Sequence, residues 1–247
     1  ARGLGLNTMR IVGLLTTDIA DPFLAQAIAH LERLLRAQGY DCLLCCTGSG
    51  TEERERDLGL LMSKRVDALV FVGSGFVSAS EPENGYILRA AEKLPVMILN
   101  GQLAGENIYC TLLDDEQASY QATMRLISLG CKRLLHLHHI ESYASGRKIA
   151  GFRRALLESG LPGSPDCVQL APLPEARAVL ERLFQRERFD GILTSDDALG
   201  VAALKFAKSQ GIRVPDELRI VGYNNSSHAL CTEPKLSSVD NKLEAVC

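Results

Sequence analysis

One stretch near the start of the chain has the residue types of a ligand-binding loop. It reads TTDIADPFLAQ and includes Thr17, Asp18, Asp21 and Phe23 between an apolar run and a long helical pattern. Asp21 predicts a helix start, because its side chain accepts backbone N–H bonds there and the following proline needs no N–H. Phe23 has two interpretations: a hydrophobic staple of the helix, or a ring that contacts a ligand at the carboxyl end of the strand. All four residues are therefore candidate binding residues.

A pair of adjacent carboxylates occupies a similar position later in the chain. In LTSDDALG, Asp196 and Asp197 lie between a predicted buried strand and a predicted helix start. Capping of the helix requires only one side chain, and either carboxylate would interact favourably with the helix dipole. We therefore predict that one carboxylate caps the helix and that Asp196 accepts hydrogen bonds from ligand hydroxyls.

Three histidines in HLHH raise the question of a metal site. Residues two apart share a strand face, so His136 and His138 point the same way. A zinc site needs further ligands, and the spacing around this pair supplies none. We predict a packed His136, with His138 or His139 lining a ligand cleft at the strand end, and no bound metal.

Eight cysteines, two of them in the spacing Cys42-x-x-Cys45, match the bare pattern of a redox or zinc motif. The segment YDCLLCC is predicted to be a buried strand, in which these two side chains point to opposite faces and cannot share a metal or a disulfide. We interpret the cysteines as small core residues of a protein in a reducing compartment, which favours the cytoplasm.

The composition argues against several function classes. The 247 residues are 46% hydrophobic and 23% charged, which is typical of a globular protein, and the longest apolar runs have the length of strands rather than membrane spans. The first residues, ARGLGLNTMR, lack the apolar core of a signal peptide. The net charge is −3 and the basic residues are scattered, so no nucleic-acid surface is expected.

No constellation of residues in the sequence indicates an enzyme. A dinucleotide fingerprint would follow the first strand, but GSGFVS follows the third and lacks the last glycine. Neither TGSGT nor VGSGF is the G-x-S-x-G motif of serine hydrolases. We therefore expect a binding protein that is not an enzyme and uses no cofactor.

The elements that position these residues alternate along almost the whole chain. Apolar strand runs such as RIVGLL, ALVFV and GILT are separated by helical patterns, among them 22–38 and 197–210. Continuous Val, Ile and Leu runs are typical of parallel strands with helices on both faces. The strands are too numerous for one sheet, which predicts an α/β fold of two doubly wound parallel-sheet lobes around a ligand cleft. The predicted lobes are 10–112 with 240–247, and 113–239.

Several segments, taken in order, resemble one family of regulators. GLLTTDIADPFLAQ, KRVDALVFV, GRKIAGFRRAL, FDGILTSDDALGVAALKFAKSQGIRVPDELRIVGYNN and EPKLSSVDNKL are similar to the effector-binding core of lactose/galactose repressor family transcription regulators. That core is itself similar to periplasmic sugar-binding proteins. The resemblance implies a periplasmic-binding-protein-like sensor that closes on a small sugar-like or nucleobase-like effector and forms a homodimer. It also implies an amino-terminal DNA-binding headpiece, which we expect to be absent because Arg10 already opens the first strand.

The resemblance also assigns roles to individual residues. Phe23 stands where the family stacks an aromatic ring on the ligand, and Asp196 stands where the family usually has Asn. Asn224 replaces the acidic residue that usually follows the aromatic one in IVGYNN. Asn100 and Gly101 replace the Asp-Arg pair of related sugar binders, which implies a less charged pocket.

Arg147, in SYASGRKIAG, lies near the family's ligand-binding arginine, although counting back from Gly151 places Gly146 at that position. Alternatively, Arg147 and Lys148 form the solvated first turn of a helix. The residues allow both interpretations.

These observations favour the ligand-sensing core of a bacterial transcriptional regulator, which contacts DNA only through the headpiece and contacts no membrane. An exported solute-binding protein of a sugar transporter is the alternative, because its lobes would have the same pattern. The cysteine content favours the cytoplasmic regulator. The outer surfaces of the first helix and of the 51–63 helix are the predicted surfaces of the homodimer.

Overall fold

The computed structural model describes residues 8–48, 50–78, 81–161 and 163–247. Strands and helices alternate through these residues, as the sequence predicts. The strands are β1 Ile11–Thr16, β2 Asp41–Cys46, β3 Ala68–Val72, β4 Val96–Leu99, β5 Ile108–Thr111, β6 Leu134–His138, β7 Val168–Leu170, β8 Gly191–Thr194, β9 Arg219–Tyr223 and β10 Ser237–Val239. The helices are α1 Pro22–Ala37, α2 Thr51–Ser63, α3 Gly85–Ala91, α4 Asp115–Ser128, α5 Tyr143–Glu158, α6 Ala176–Arg186, α7 Asp197–Ser209, α8 Ser227–Leu230 and α9 Leu243–Val246.

The chain divides into two compact units. Unit 1 comprises the residues up to Leu113 together with Lys242–Cys247, and unit 2 comprises Asp114–Asn241. Unit 1 contains a sheet in the order β2-β1-β3-β4-β5, and unit 2 contains a sheet in the order β10-β9-β8-β6-β7. The paired strands are parallel in both sheets. The prediction of an α/β fold with two parallel sheets is confirmed.

Two predictions fall partly outside the described ranges. The first concerns the segment ARGLGLNTMR, which lacks the apolar core of a signal peptide and whose first seven residues lie outside these ranges. The second concerns TGSGT, whose serine, Ser49, lies outside them.

In unit 1, successive residues of the central strands pack on opposite faces of the sheet. Leu14 of β1 packs with α1 and with Leu243 of α9, whereas Leu15 packs with α2 and α3. This alternation is the period of two that a strand imposes on its side chains. Both faces are apolar, so β1 reads as a continuous hydrophobic run.

The strand β2 differs from the prediction of a buried strand. It is an edge strand, and its residues are half-buried or exposed. Cys42 packs on the α1 face and Cys45 on the α2 face, which confirms that the two thiols point to opposite sides. Cys46 and Cys231 are exposed, so the interpretation of all eight cysteines as core residues is wrong. The error arose because small apolar runs occur on edge strands as well as on central ones.

In unit 2, the helices α4 and α5 are in backbone contact on one face of the sheet. A Cβ atom added to Gly151 would overlap the carbonyl oxygen of Glu116. The Ser119 hydroxyl donates to the carbonyl of Lys148 at 2.6 Å, which fixes the two helices along their length. The opposite face packs against α6 and α7.

Candidate functional site

The carboxyl edge of the unit 1 sheet has the local geometry that the sequence predicts. Thr17 and Asp18 follow β1, and the Asp18 carboxylate accepts from the Ala20 N–H at 2.8 Å. The Asp21 carboxylate accepts from the Phe23 N–H at 2.8 Å and from the Leu24 N–H at 3.1 Å. Asp21 is therefore the N-cap of α1, which is confirmed, and these bonds occupy one of its two carboxylate oxygens.

Phe23 is half-buried in unit 1. Its ring packs against the same apolar cluster as Leu24, but less completely. The packed part of the ring thus supports the start of α1, and the rest of the ring is exposed. Cys46 adds a thiol to this edge, with Sγ 3.7 Å from the carbonyl oxygen of Thr17.

Asn100, a predicted ligand contact, is bonded to the backbone of unit 1. It follows β4 at the carboxyl edge, with a left-handed φ of 58°, but is only 4% exposed. Its Oδ1 accepts from the Leu113 N–H at 3.1 Å, so the side chain joins two segments of the backbone. This structural use of the amide explains its burial, since a buried amide needs partners.

At the carboxyl edge of unit 2, the cap of α7 is not the carboxylate that the sequence predicts. Asp196 is the N-cap of α7 and accepts from the Leu199 N–H at 2.9 Å. Asp197 is buried, accepts from the N–H and hydroxyl of Ser226 at 2.6 and 2.8 Å, and accepts from the hydroxyl of Ser238 at 2.6 Å. The prediction that the other carboxylate caps the helix is wrong, because these distant donors occupy Asp197.

Asp196 also has partners on its second oxygen. Its Oδ2 lies 2.7 Å from Nδ1 of His139, and it accepts from the Ser195 hydroxyl at 3.0 Å. Burial would raise the pKa of Asp196, but the bonds from His139, Leu199 and Ser195 outweigh it and hold the pKa below its usual value. Asp196 is therefore an ionised carboxylate near neutral pH.

A buried cation contacts the residue that precedes this carboxylate. Lys148 is 8% exposed; its Nζ donates to the carbonyl of Ser195 at 2.9 Å and lies 3.8 Å from the ring centroid of Tyr223. The Tyr223 hydroxyl donates to Asp115 at 2.8 Å. The interpretation of Lys148 as part of a solvated turn is thus wrong. Its network connects α5, β9 and the start of α4 to the edge.

The two strand histidines stack on one face of β6. The rings of His136 and His138 are 6.2 Å apart, and Nδ1 of His138 lies 3.3 Å from both the Ile140 carbonyl and the Ser145 hydroxyl. His136 is fully buried against Phe152, and neither of its ring nitrogens has a hydrogen-bond partner among the described residues. Burial lowers the pKa of His136 to about 3, so this ring is neutral. The packed His136 that the sequence predicts is confirmed.

Arg147 lies on the exposed side of α5. Its guanidinium pairs with Glu116 at 3.0 Å, and 46% of its side chain is exposed. Gly146 precedes it, and a Cβ there would meet no atom within 4 Å. Neither residue is among the buried residues of α5, whereas the next residue, Lys148, is buried.

Asn224 follows β9 in a left-handed conformation with φ 91°. Its N–H donates to the carbonyl of Val239 at 2.9 Å, and its Oδ1 accepts from the Asn241 amide at 3.1 Å. These bonds join the ends of β9 and β10 while the residue stays half-buried. Asn224 therefore combines a structural bond with partial access to the edge.

The structure gives His139 and Lys148 more specific roles than the sequence predicts. The sequence predicts either His138 or His139 at the ligand site, and in the structure His139 pairs with Asp196. Lys148 lies four residues after Ala144 and four before Phe152, both of which are buried. That helical spacing was the available signal for a buried lysine.

No helix within the described residues has the length and apolar character of a membrane span. The same residues contain no group of three or more His, Cys, Asp and Glu side chains placed to hold a metal ion.

Comparisons with known proteins agree on one family. The sequence profile described as "Periplasmic binding proteins and sugar binding domain of LacI family" matches residues 9–243. An HTH-type transcriptional regulator of Lachnoclostridium phytofermentans is 43% identical over 250 residues, which cover 100% of this chain and 75% of that protein. The HTH-type transcriptional repressor PurR of Vibrio parahaemolyticus is 29% identical over 97% of this chain and 72% of that protein. The solved structure of a transcriptional regulator CelR–cellobiose complex has a TM-score of 0.85 at 25% identity, covering 97% of this chain and 75% of that one.

Proposed function

The chain belongs to the family of periplasmic binding proteins and LacI-family sugar-binding domains, and from this premise we propose that it senses a small sugar-like effector through the carboxyl edges of its two sheets. Its relatives are transcriptional regulators, and the chain is the ligand-binding domain of such a regulator. The proposed contacts in unit 1 are Thr17, Asp18, Asp21 and Phe23.

The proposed contacts in unit 2 are His138, Arg147 and Asn224, together with His139, and Asp196 takes part through its bond to His139. The observation that carries the proposal is that β1, β6 and β8 all end in polar side chains at the edge where parallel α/β sheets bind ligands. Asn100 is a further proposed contact in unit 1, and its Oδ1 also accepts from the Leu113 N–H.

In this proposal the chain regulates transcription without catalysis and without direct contact with DNA. Its net charge of −3 supports that division, since DNA contact requires basic groups placed along the phosphates. The eight free cysteines support a cytoplasmic location over export. The solute-binding alternative shares the family description and is tested by the compartment in which the native protein is found.

A thermal melt tests effector binding directly. Cellobiose and a panel of monosaccharides, sugar acids, sugar phosphates and nucleobases are the probes. A compound at about 100 times its Kd stabilises the folded chain by about 2.7 kcal/mol, which raises the Tm by about 5 to 10 °C. We expect at least one such rise.

The variant Phe23→Ala separates the two roles of that ring. We expect it to abolish the rise caused by the compound that binds, with a smaller loss of unliganded Tm than the control Leu24→Ala, whose side chain is buried in the same turn. A large loss of unliganded Tm with unchanged binding would mean that Phe23 acts only as a staple.

The homodimer is also a proposal, with the exposed faces of α1 and α2 as its surface. Sedimentation at tens of micromolar tests it, and a single monomeric species would contradict it.

A further inference from the structure

His139 is the accessible member of a pair with Asp196. It follows β6 directly, and 36% of its side chain is exposed, against 13% for Asp196. The carboxylate behind it already accepts from Leu199 and Ser195. A molecule that approaches this edge therefore meets the imidazole before it meets the carboxylate.

Asp196 fixes the orientation and proton position of this imidazole. An ionised carboxylate only accepts hydrogen bonds, so Nδ1 of His139, 2.7 Å from Oδ2, carries a proton. In the neutral ring, Nε2 is consequently an acceptor, which suits a hydroxyl donor. The pairing thus prepares one atom of His139 for one kind of contact.

The neighbouring cation is already engaged within unit 2. Lys148 donates to the carbonyl of Ser195 and lies over the face of Tyr223. Its buried position resists movement, because a buried ammonium that loses its partners is strongly destabilised. Lys148 therefore contributes positive potential but no readily displaced partner.

A second cation, in the first turn of α5, is paired as well. Arg147 binds Glu116 at 3.0 Å. A carboxylate or phosphate on a ligand would have to displace Glu116 to reach Arg147, and beside the neutral imidazole of His139 it would be repelled by Asp196. A hydroxyl can bond to His139 without breaking either pair.

We propose that His139, positioned by Asp196, is a specificity-determining residue that contacts a hydroxyl of an uncharged sugar and disfavours the corresponding sugar acid or sugar phosphate. This inference rests on the proposed function and names the ligand class of the unit 2 edge. Asp196 is a positioning residue in this scheme.

Calorimetric titration of the 247-residue chain with matched probes tests the inference. The probes are D-glucose, D-glucuronate and D-glucose 6-phosphate, D-galactose and D-galacturonate, and cellobiose. The wild type should bind a neutral member at least about tenfold more tightly than its charged counterpart, since the added anionic group would be repelled by the Asp196 and Glu116 carboxylates.

Two matched variants separate contact from support. The amide of His139→Asn lies near the position of Nδ1, whereas the amide of His139→Gln extends to the position of Nε2. We expect His139→Asn to weaken binding of the neutral sugar about tenfold and His139→Gln to retain more of it. Far-ultraviolet circular dichroism checks that both are folded.

A third variant, Asp196→Asn, keeps an N-cap residue but removes the charge. We expect it to shift the ratio of affinities toward the sugar acid, which a purely structural role would not do. Equal binding by His139→Asn and His139→Gln, or wild-type preference for a charged probe, overturns the inference alone. Absence of binding to any probe by the wild type contradicts the proposed function, and this inference with it.

Discussion

The carboxyl edges of the two units are built by different kinds of contact. In unit 1, Asp18 bonds to the backbone two residues later, and Asp21 bonds to the backbone two and three residues later. These contacts form within one turn of chain. The Asp18–Asp21 part of the unit 1 edge is therefore shaped locally, and these two carboxylates stay exposed or half-buried.

In unit 2, the corresponding side chains bond to distant segments. Asp197 binds Ser226 and Ser238, which lie 29 and 41 residues away, and Tyr223 binds Asp115 across 108 residues. The unit 2 edge depends on the assembled sheet and its helices. The comparison shows that the carboxyl edges of two similar sheets can be built in different ways, one through turn chemistry and one through a buried polar network.

The largest expected effect is that of Asp197→Ala. It leaves the donors of Ser226 and Ser238 without their acceptor in a buried site, which should lower the free energy of unfolding by about 3 kcal/mol. The control Asp21→Ala removes a local cap in unit 1 and should cost about 1 kcal/mol. Urea unfolding measures both. Equal losses would remove the distinction between the two edges.

The contact between α4 and α5 provides the next test. The variant Gly151→Ala places a methyl group against the Glu116 backbone, so the helices must separate, at a cost of about 2 to 3 kcal/mol. In unit 1, Gly13→Ala meets the side chain of Leu61 at 2.6 Å, which can rotate, so a smaller loss is expected. Gly146→Ala is the helix control and should gain about 0.5 to 1 kcal/mol. A loss for Gly13→Ala that exceeds the loss for Gly151→Ala would contradict this account.

The smallest of the three effects is a dependence on pH that belongs to unit 2. Because the pKa of His136 is about 3 in the folded chain, against an ordinary value of 6.5, the unfolded state binds more protons between these values. The free energy of unfolding therefore keeps the full contribution of neutral His136 above about pH 6.5. It falls as the pH is lowered, by about 2 kcal/mol between about pH 7 and about pH 5. Denaturation of the wild type and of His136→Leu at both pH values measures this difference. If the leucine variant keeps the full pH dependence, another group is responsible.

The sequence predicted the fold and the cap of α1 well because their determinants are local. Strand runs, helical spacing and the Asp21-Pro22 pair act over a few residues, and the structure has the predicted strands, helices and cap. The prediction that β2 is buried was wrong because an apolar run does not reveal whether a second strand pairs with its other edge.

The roles at the unit 2 edge were harder to predict because they depend on tertiary partners. Asp196 and Asp197 are equivalent in the local sequence. The hydrogen bonds from Ser226 and Ser238 determine that Asp197 is the buried one. The pairing of His139 with Asp196 likewise requires β6 and β8 to be neighbours in the sheet.

The return of the chain to unit 1 has a consequence for its synthesis. Leu243 of α9 completes the apolar cluster that includes Leu24 and Leu31 of α1, yet it is translated only after all of unit 2. On the ribosome, the nascent unit 1 would therefore leave the α9 side of this cluster exposed while unit 2 is being made. During that interval a chaperone could bind the exposed side, and a premature stop before Lys242 would leave it exposed permanently.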